Sequence, residues 1–145
     1  QIVKARVVGY WICTVVIAAL MLSGGIMQSM KAHDALEGIL RLGYPVHFVV
    51  LLGLWKIAGA LVLVAPRLPL VKEWAYAGIV IDLTAASVAH VAASDGTGNV
   101  VAPLVFTAIA ALSWYLRPAS RRLAGVPAAA DAIEARPAAL AQGLS

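Results

Sequence analysis

Residues 45–94 read PVHFVVLLGLWKIAGALVLVAPRLPLVKEWAYAGIVIDLTAASVAHVAAS, two apolar runs on either side of a short turn that carries two prolines. The runs Pro45–Ala65 and Trp74–Ser94 each reach the roughly 20 residues that a helix needs to cross a bilayer. Neither alternates with period two, and a backbone facing lipid must satisfy its own hydrogen bonds, so both read as helices. In the turn Pro66-Arg67-Leu68-Pro69, proline stops the first run and forces a reversal. The two spans are therefore antiparallel neighbours.

Working outward, Val8–Met27 precedes this pair and the shorter run Val100–Leu116 follows it, which gives four spans. The polar stretch Asp95-Gly96-Thr97-Gly98-Asn99 joins the third span to the fourth, and Pro103 fits the fourth helix's first turn. Between the first two spans, Ala32, Leu36, Ile39 and Leu40 recur at helical spacing opposite Lys31, Asp34, Glu37 and Arg41, the pattern of a short interfacial helix. The expected fold is all-α: an antiparallel four-helix transmembrane bundle over residues 1–117. Residues 118–145, rich in alanine with Pro127 and Pro137, read as a cytoplasmic tail, mobile or weakly helical beyond Arg122.

Composition agrees. Hydrophobic residues make up 62% of the 145 and charged residues only 12%, with a mean hydropathy of +0.90, a balance that suits a bilayer better than water. The net charge of +4 is carried beside apolar runs, which points to anionic headgroups and not to nucleic acid. Lys4, Arg6, Arg67, Lys72, Arg117, Arg121, Arg122 and Arg136 share one side, against Lys31 and Arg41 on the other. The positive-inside rule then places both termini in the cytoplasm of a multi-pass cell-membrane protein. Tyr10, Trp11, Trp74, Tyr76, Trp114 and Tyr115 fit an aromatic belt on the basic side. The first span ends in Ser23-Gly24-Gly25 without a clear cleavage site and reads as retained, its glycines allowing close packing.

Cys13 is the single cysteine, which excludes an intrachain disulfide, a C-x-x-C thiol centre and a multi-cysteine metal site within one chain. Cys13 itself reads as a packing residue. No tight metal-ligand spacing such as H-x-x-x-H occurs either, so no metal is expected.

Two charges lie deep in the spans. Lys56 is nine residues before Ala65 and Asp82 eight residues after Trp74, roughly 12–14 Å from the same face at the helical rise. They can meet, and Gly53, Gly59, Ala60, Gly78, Ala85 and Ala86 around them suggest close contact between their helices. The pair serves either as the polar floor of a cavity or as a structural ion pair that fixes register. His47 and His90 lie at similar depth near the opposite face. They can shuttle protons or hydrogen-bond a quinone carbonyl as catalytic partners of Lys56 and Asp82, or be satisfied by water at the interface. A bis-histidine haem has no supporting signature beyond the pair itself. Trp55, beside the lysine, either lines the cofactor pocket as a flat wall or faces lipid.

Leu42-Gly43-Tyr44-Pro45, Gly53-Leu54-Trp55-Lys56-Ile57-Ala58-Gly59, Ala65-Pro66-Arg67-Leu68-Pro69, Lys72-Glu73-Trp74-Ala75-Tyr76-Ala77-Gly78 and Ala89-His90, in this order and spacing, resemble the DoxX-like family of small four-helix membrane proteins. The resemblance runs from the first span to Arg117. It implies the four-helix fold and, through relatives that include a subunit of a membrane thiosulfate:quinone oxidoreductase and members of redox stress complexes, a redox-associated role with a quinone-like ligand. A distant animal relative acts as a receptor-assembly chaperone, which implies the alternative of a non-catalytic scaffold or assembly factor for a partner membrane protein. The motif around Lys56 follows the DoxX-like branch and not the oxidoreductase subunit, so the implied ligand is an amphipathic small molecule and not thiosulfate. Homo-oligomerisation is open, and so is catalysis: no electron carrier is encoded, and any redox step needs a bound cofactor or a partner.

Overall fold

The computed structural model describes residues 1–123. Among them all regular structure is helical: α1 (Ile2–Ser29), α2 (His33–Arg41), α3 (Val46–Val64), α4 (Pro69–Ala92), α5 (Thr97–Leu116) and a short 3-10 turn at Ala119–Arg121. The four long helices are each long and apolar enough to cross a membrane. They form a ring in which α1 packs on α3 and α5, and α4 packs on α5 and α3. Ile17, Met21, Leu63, Ile79, Leu83 and Ala110 fill its centre. The outer faces are also apolar, with Trp55, Ile81, Val88 and Val91 exposed. A water-soluble bundle shares the apolar core but turns polar faces outward, so an outer surface this apolar suits lipid.

The structure differs from the sequence reading at the starts of α4 and α5 and in the aromatic belt. Helix α4 begins at Pro69, five residues before Trp74, because proline is well tolerated at a first helical position. The preceding Arg67 and Leu68 make the reversal in the left-handed region, at φ 60° and 56°. Helix α5 begins at Thr97, so Pro103 lies inside the helix and not in its first turn. Its missing N–H loosens that turn, and Ser87 Oγ of α4 donates to the Val100 carbonyl there at 2.9 Å. Of the expected aromatic belt, Tyr10 and Tyr76 are buried. Tyr76 and Thr14 both hydrogen-bond Ser113, at 2.7 and 2.8 Å, which ties α1, α4 and α5 through a polar network with partners for its hydroxyls.

Lys72, expected among surface cations, is fully buried. Its Nζ donates to the Val62 carbonyl at 2.6 Å and to that of Ala65. Arg121 donates to the Leu63 and Val64 carbonyls at 3.1 and 3.4 Å. The carbonyls at a helix C-terminus have no intrahelical donors and carry partial negative charge, and here two cations serve them. Arg121 thereby fastens the start of the expected tail to the bundle. The remainder of that tail, residues 124–145, lies outside the described residues.

Candidate functional site

Gly59 faces Ile79 at 4.0 Å, and one turn deeper Lys56 Nζ stands 3.3 Å from Asp82 Oδ2. Each step of three along α3 is matched by a step of three along α4. The same register sets Ala65 level with Glu73, which is why counting from Trp74 located Asp82 correctly although α4 starts earlier. The pair is largely but not fully buried, with side-chain exposures of 16% and 15%.

Two cavities, each open to the outside, meet at the pair. One of about 280 Å³ lies toward the basic end, between Val62, Val71, Trp55 and Trp74. The other, of about 450 Å³, lies toward the opposite end, between Gln28, Tyr44, Phe48 and His90. Leu52, Lys56, Gly78 and Asp82 line both. The ion pair is thus a partition between two chambers in the α3–α4 seam. Opposite charges balance there, and most other lining side chains are apolar.

The glycines explain the opening. Gly53, expected to bring α3 against α4, faces α1 instead: a Cβ on it would come within 2.7 Å of the Gly25 carbonyl oxygen and 2.8 Å of the Ser29 amide nitrogen. The close crossing is α1–α3. Gly78 has nothing within 4 Å of where its Cβ would stand, so on α4 the absent side chain leaves space and not contact.

Above the larger chamber, Asp95, in the loop after α4, joins two helices. Its Oδ2 is 2.5 Å from His90 Nδ1 of α4 and its Oδ1 accepts from Arg41 Nη2 of α2 at 2.7 Å. The second bond holds α2 over the cavity, where Ile39 enters the lining. The hydrogen bond with His90 is the largest cause that lowers the Asp95 pKa below its ordinary 3.8. Desolvation opposes it, and the Arg41 charge adds to the lowering.

The model of the DoxX-like family matches residues 12–113, which take in the ion pair, both chambers and the clasp at Asp95. The chain belongs to the DoxX-like family. No curated protein and no solved structure matches it. In this DoxX-like protein Lys56, Asp82 and His90 lie on one continuous lining, and Trp55 joins them at the wall of the smaller chamber while remaining 68% exposed. His47 stands level with His90 but on the exposed side of α3, outside both linings. Sequence reading missed Gln28, placed in a loop because the first span was ended at Met27. It belongs to the last turn of α1, is 8% exposed, and lines the larger chamber. The helical spacing from Thr14, Met21 and Gly25 to Gln28 was the available signal.

Proposed function

We propose that this multi-pass membrane protein binds a neutral, quinone-like amphipathic molecule in the α3–α4 seam and serves a redox-associated role with it. The observation that carries this reading is the pair of chambers meeting at Lys56–Asp82, 3.3 Å apart. An apolar pocket with few convergent polar groups is the ordinary form of a small-molecule site. Balanced charges give no net attraction for an ion, while the Lys56 ammonium can donate to a carbonyl oxygen and stabilise negative charge developing on it. His90, oriented by Asp95, supplies a proton-exchanging group at the outer wall of the larger chamber. With the basic end cytoplasmic, as the positive-inside rule has it, that wall faces the far side of the membrane.

The test is to purify the protein in mild detergent and identify extracted small molecules by mass spectrometry. A stoichiometric quinone or related compound, lost in Lys56→Met, is expected. Protein that folds, carries no such molecule and binds no added quinone overturns the proposal. The direct Lys56–Asp82 contact is also what a scaffold that only holds its register would need. Stoichiometric co-purification of one membrane partner with empty chambers would establish that second reading.

A further inference from the structure

Lys56 is nine residues before Ala65, roughly 13 Å along the helix, in a hydrocarbon core about 30 Å thick. The ion pair therefore lies near the middle of the bilayer, and the chamber of about 280 Å³ on its basic side lies within one leaflet. At the basic end this chamber is shut. Residues 65–68 join α3 directly to α4 there, and the fully buried Lys72 ties α4 to the carbonyls of Val62 and Ala65 beneath the turn. Toward the centre of the bundle the chamber is walled by Met21 of α1 and Ile79 of α4, both buried. The side left open is the outer one. Trp55, Ala58, Val71, Trp74 and Gly78 line the chamber and are all exposed, the two tryptophans by 68% and 69%. They form the rim of a mouth that faces sideways, into the lipid of the basic-side leaflet. Pockets that enclose a whole drug-sized molecule run from about 300 to 1,000 Å³, so a chamber of about 280 Å³ takes a head group and leaves a long chain outside.

We infer that the ligand enters the seam sideways from the basic-side leaflet, between Trp55 and Trp74, sets its ring against Lys56–Asp82 in the smaller chamber, and leaves its chain in the lipid through the same mouth. The class of ligand follows from the route: a molecule dissolved in the membrane, with one flat head on a long apolar chain. A molecule dissolved in the water on the basic side finds that end of the seam closed. The inference rests on the ligand-binding reading above and adds to it the chamber, the leaflet and the direction of the chain.

The experiment reconstitutes the full chain in phosphatidylcholine vesicles with a decyl-substituted benzoquinone that carries a photoreactive diazirine midway along the decyl chain. After illumination the labelled residues are mapped by mass spectrometry, with and without excess unlabelled decyl benzoquinone. The expected label falls on the rim, at Trp55, Ala58, Val71 or Trp74, and is removed by the competitor. Competed label at Ile39, Tyr44 or Phe48, alone or beside the rim, puts the ligand in the larger chamber; it overturns the inference and leaves the ligand reading standing. Label that the competitor does not reduce anywhere on the folded protein is mere contact with dissolved probe and overturns both. A matched pair of variants sharpens the result. Ala58 lines only the smaller chamber and Ala85 lines the larger but not the smaller, and both are exposed, so a tryptophan at either position has room to turn outward without disturbing the core. Ala58→Trp should narrow the mouth and lose the competed label, and Ala85→Trp should keep it. Label retained in Ala58→Trp, or lost in an Ala85→Trp protein that melts as the parent does, defeats the sideways route.

Discussion

Helix α3 meets α1 on one side and α4 on the other, and the two contacts are built in opposite ways. Toward α1 it presents Gly53 to Gly25, so the backbones touch. Toward α4 it presents Lys56 to Asp82 across two chambers, and Gly78 opposite faces empty space. A glycine closes a helix contact only when its partner is also small; set against long side chains it adds volume to the gap. The open seam is held at its ends instead, by Lys72 on the carbonyls of Val62 and Ala65 and by Asp95 between Arg41 and His90. The tight contact leaves no space between its helices, and the pinned one leaves two cavities.

The largest effect should come from breaking the single bridge across the middle of the seam. Lys56→Met strands the Asp82 carboxylate at membrane depth, and the melting temperature in detergent should fall by the equivalent of about 3 kcal/mol, the low end for a broken buried pair because both groups retain some exposure. The double variant Lys56→Met with Asp82→Leu should recover most of that loss. A single variant as stable as the parent would mean that the seam is held at its ends alone.

Next in size is a matched pair of alanines. In Gly53→Ala the new methyl meets backbone atoms 2.7 and 2.8 Å away, which no rotamer change can relieve, and a loss of about 2 kcal/mol is expected from overpacking. Gly78→Ala, with open space around it, should be neutral or stabilising by up to ~1 kcal/mol through helix propensity, while reducing ligand uptake by narrowing both chambers. If both alanines destabilise alike, α4 lies as close to α3 as α1 does, and the contrast fails.

How far the sequence could reveal this arrangement depended on what kind of information each feature needs. The spans, the short helix between the first two, and the depth match of Lys56 with Asp82 follow from apolar run length and helical rise, which are local properties. The direction in which Gly53 points is not local: a small residue signals proximity to something, but three-dimensional packing decides to which neighbour. His47 and His90 share a depth for the same reason that Lys56 and Asp82 do, yet half a helix circumference separates the side of α3 that bears His47 from the seam. Lys72 looked like one more interfacial cation, since nothing in the sequence states that the carbonyls ending α3 lie within its reach. Gln28 was obscured by ending the first span at its last strongly apolar residue, when polar residues in a terminal turn still obey the helix period.

The smallest effect concerns the pinned end at α2. The pKa of Asp95 is lowered in the folded protein, so its ionised form is the one that folding favours. The clasp therefore contributes fully above the unfolded-state aspartate value and is lost as pH falls from there through the lowered folded value. Amide hydrogen exchange, corrected for its intrinsic pH dependence, should show residues 33–41 losing protection below about pH 4, while α1 and α3 at the glycine contact keep theirs. Asp95→Asn should show the weaker protection at every pH and lose the step, because a neutral amide cannot pair with the Arg41 charge. Were the step to persist in Asp95→Asn, the acid-sensitive group would lie elsewhere, with His33, Asp34 and Glu37 on α2 itself the nearest candidates. Were no step to appear in the parent, Leu36 and Ile39 would be holding α2 by apolar contact, and the two ends of the seam would differ in kind: one pinned by charge on helix carbonyls, the other only by burial.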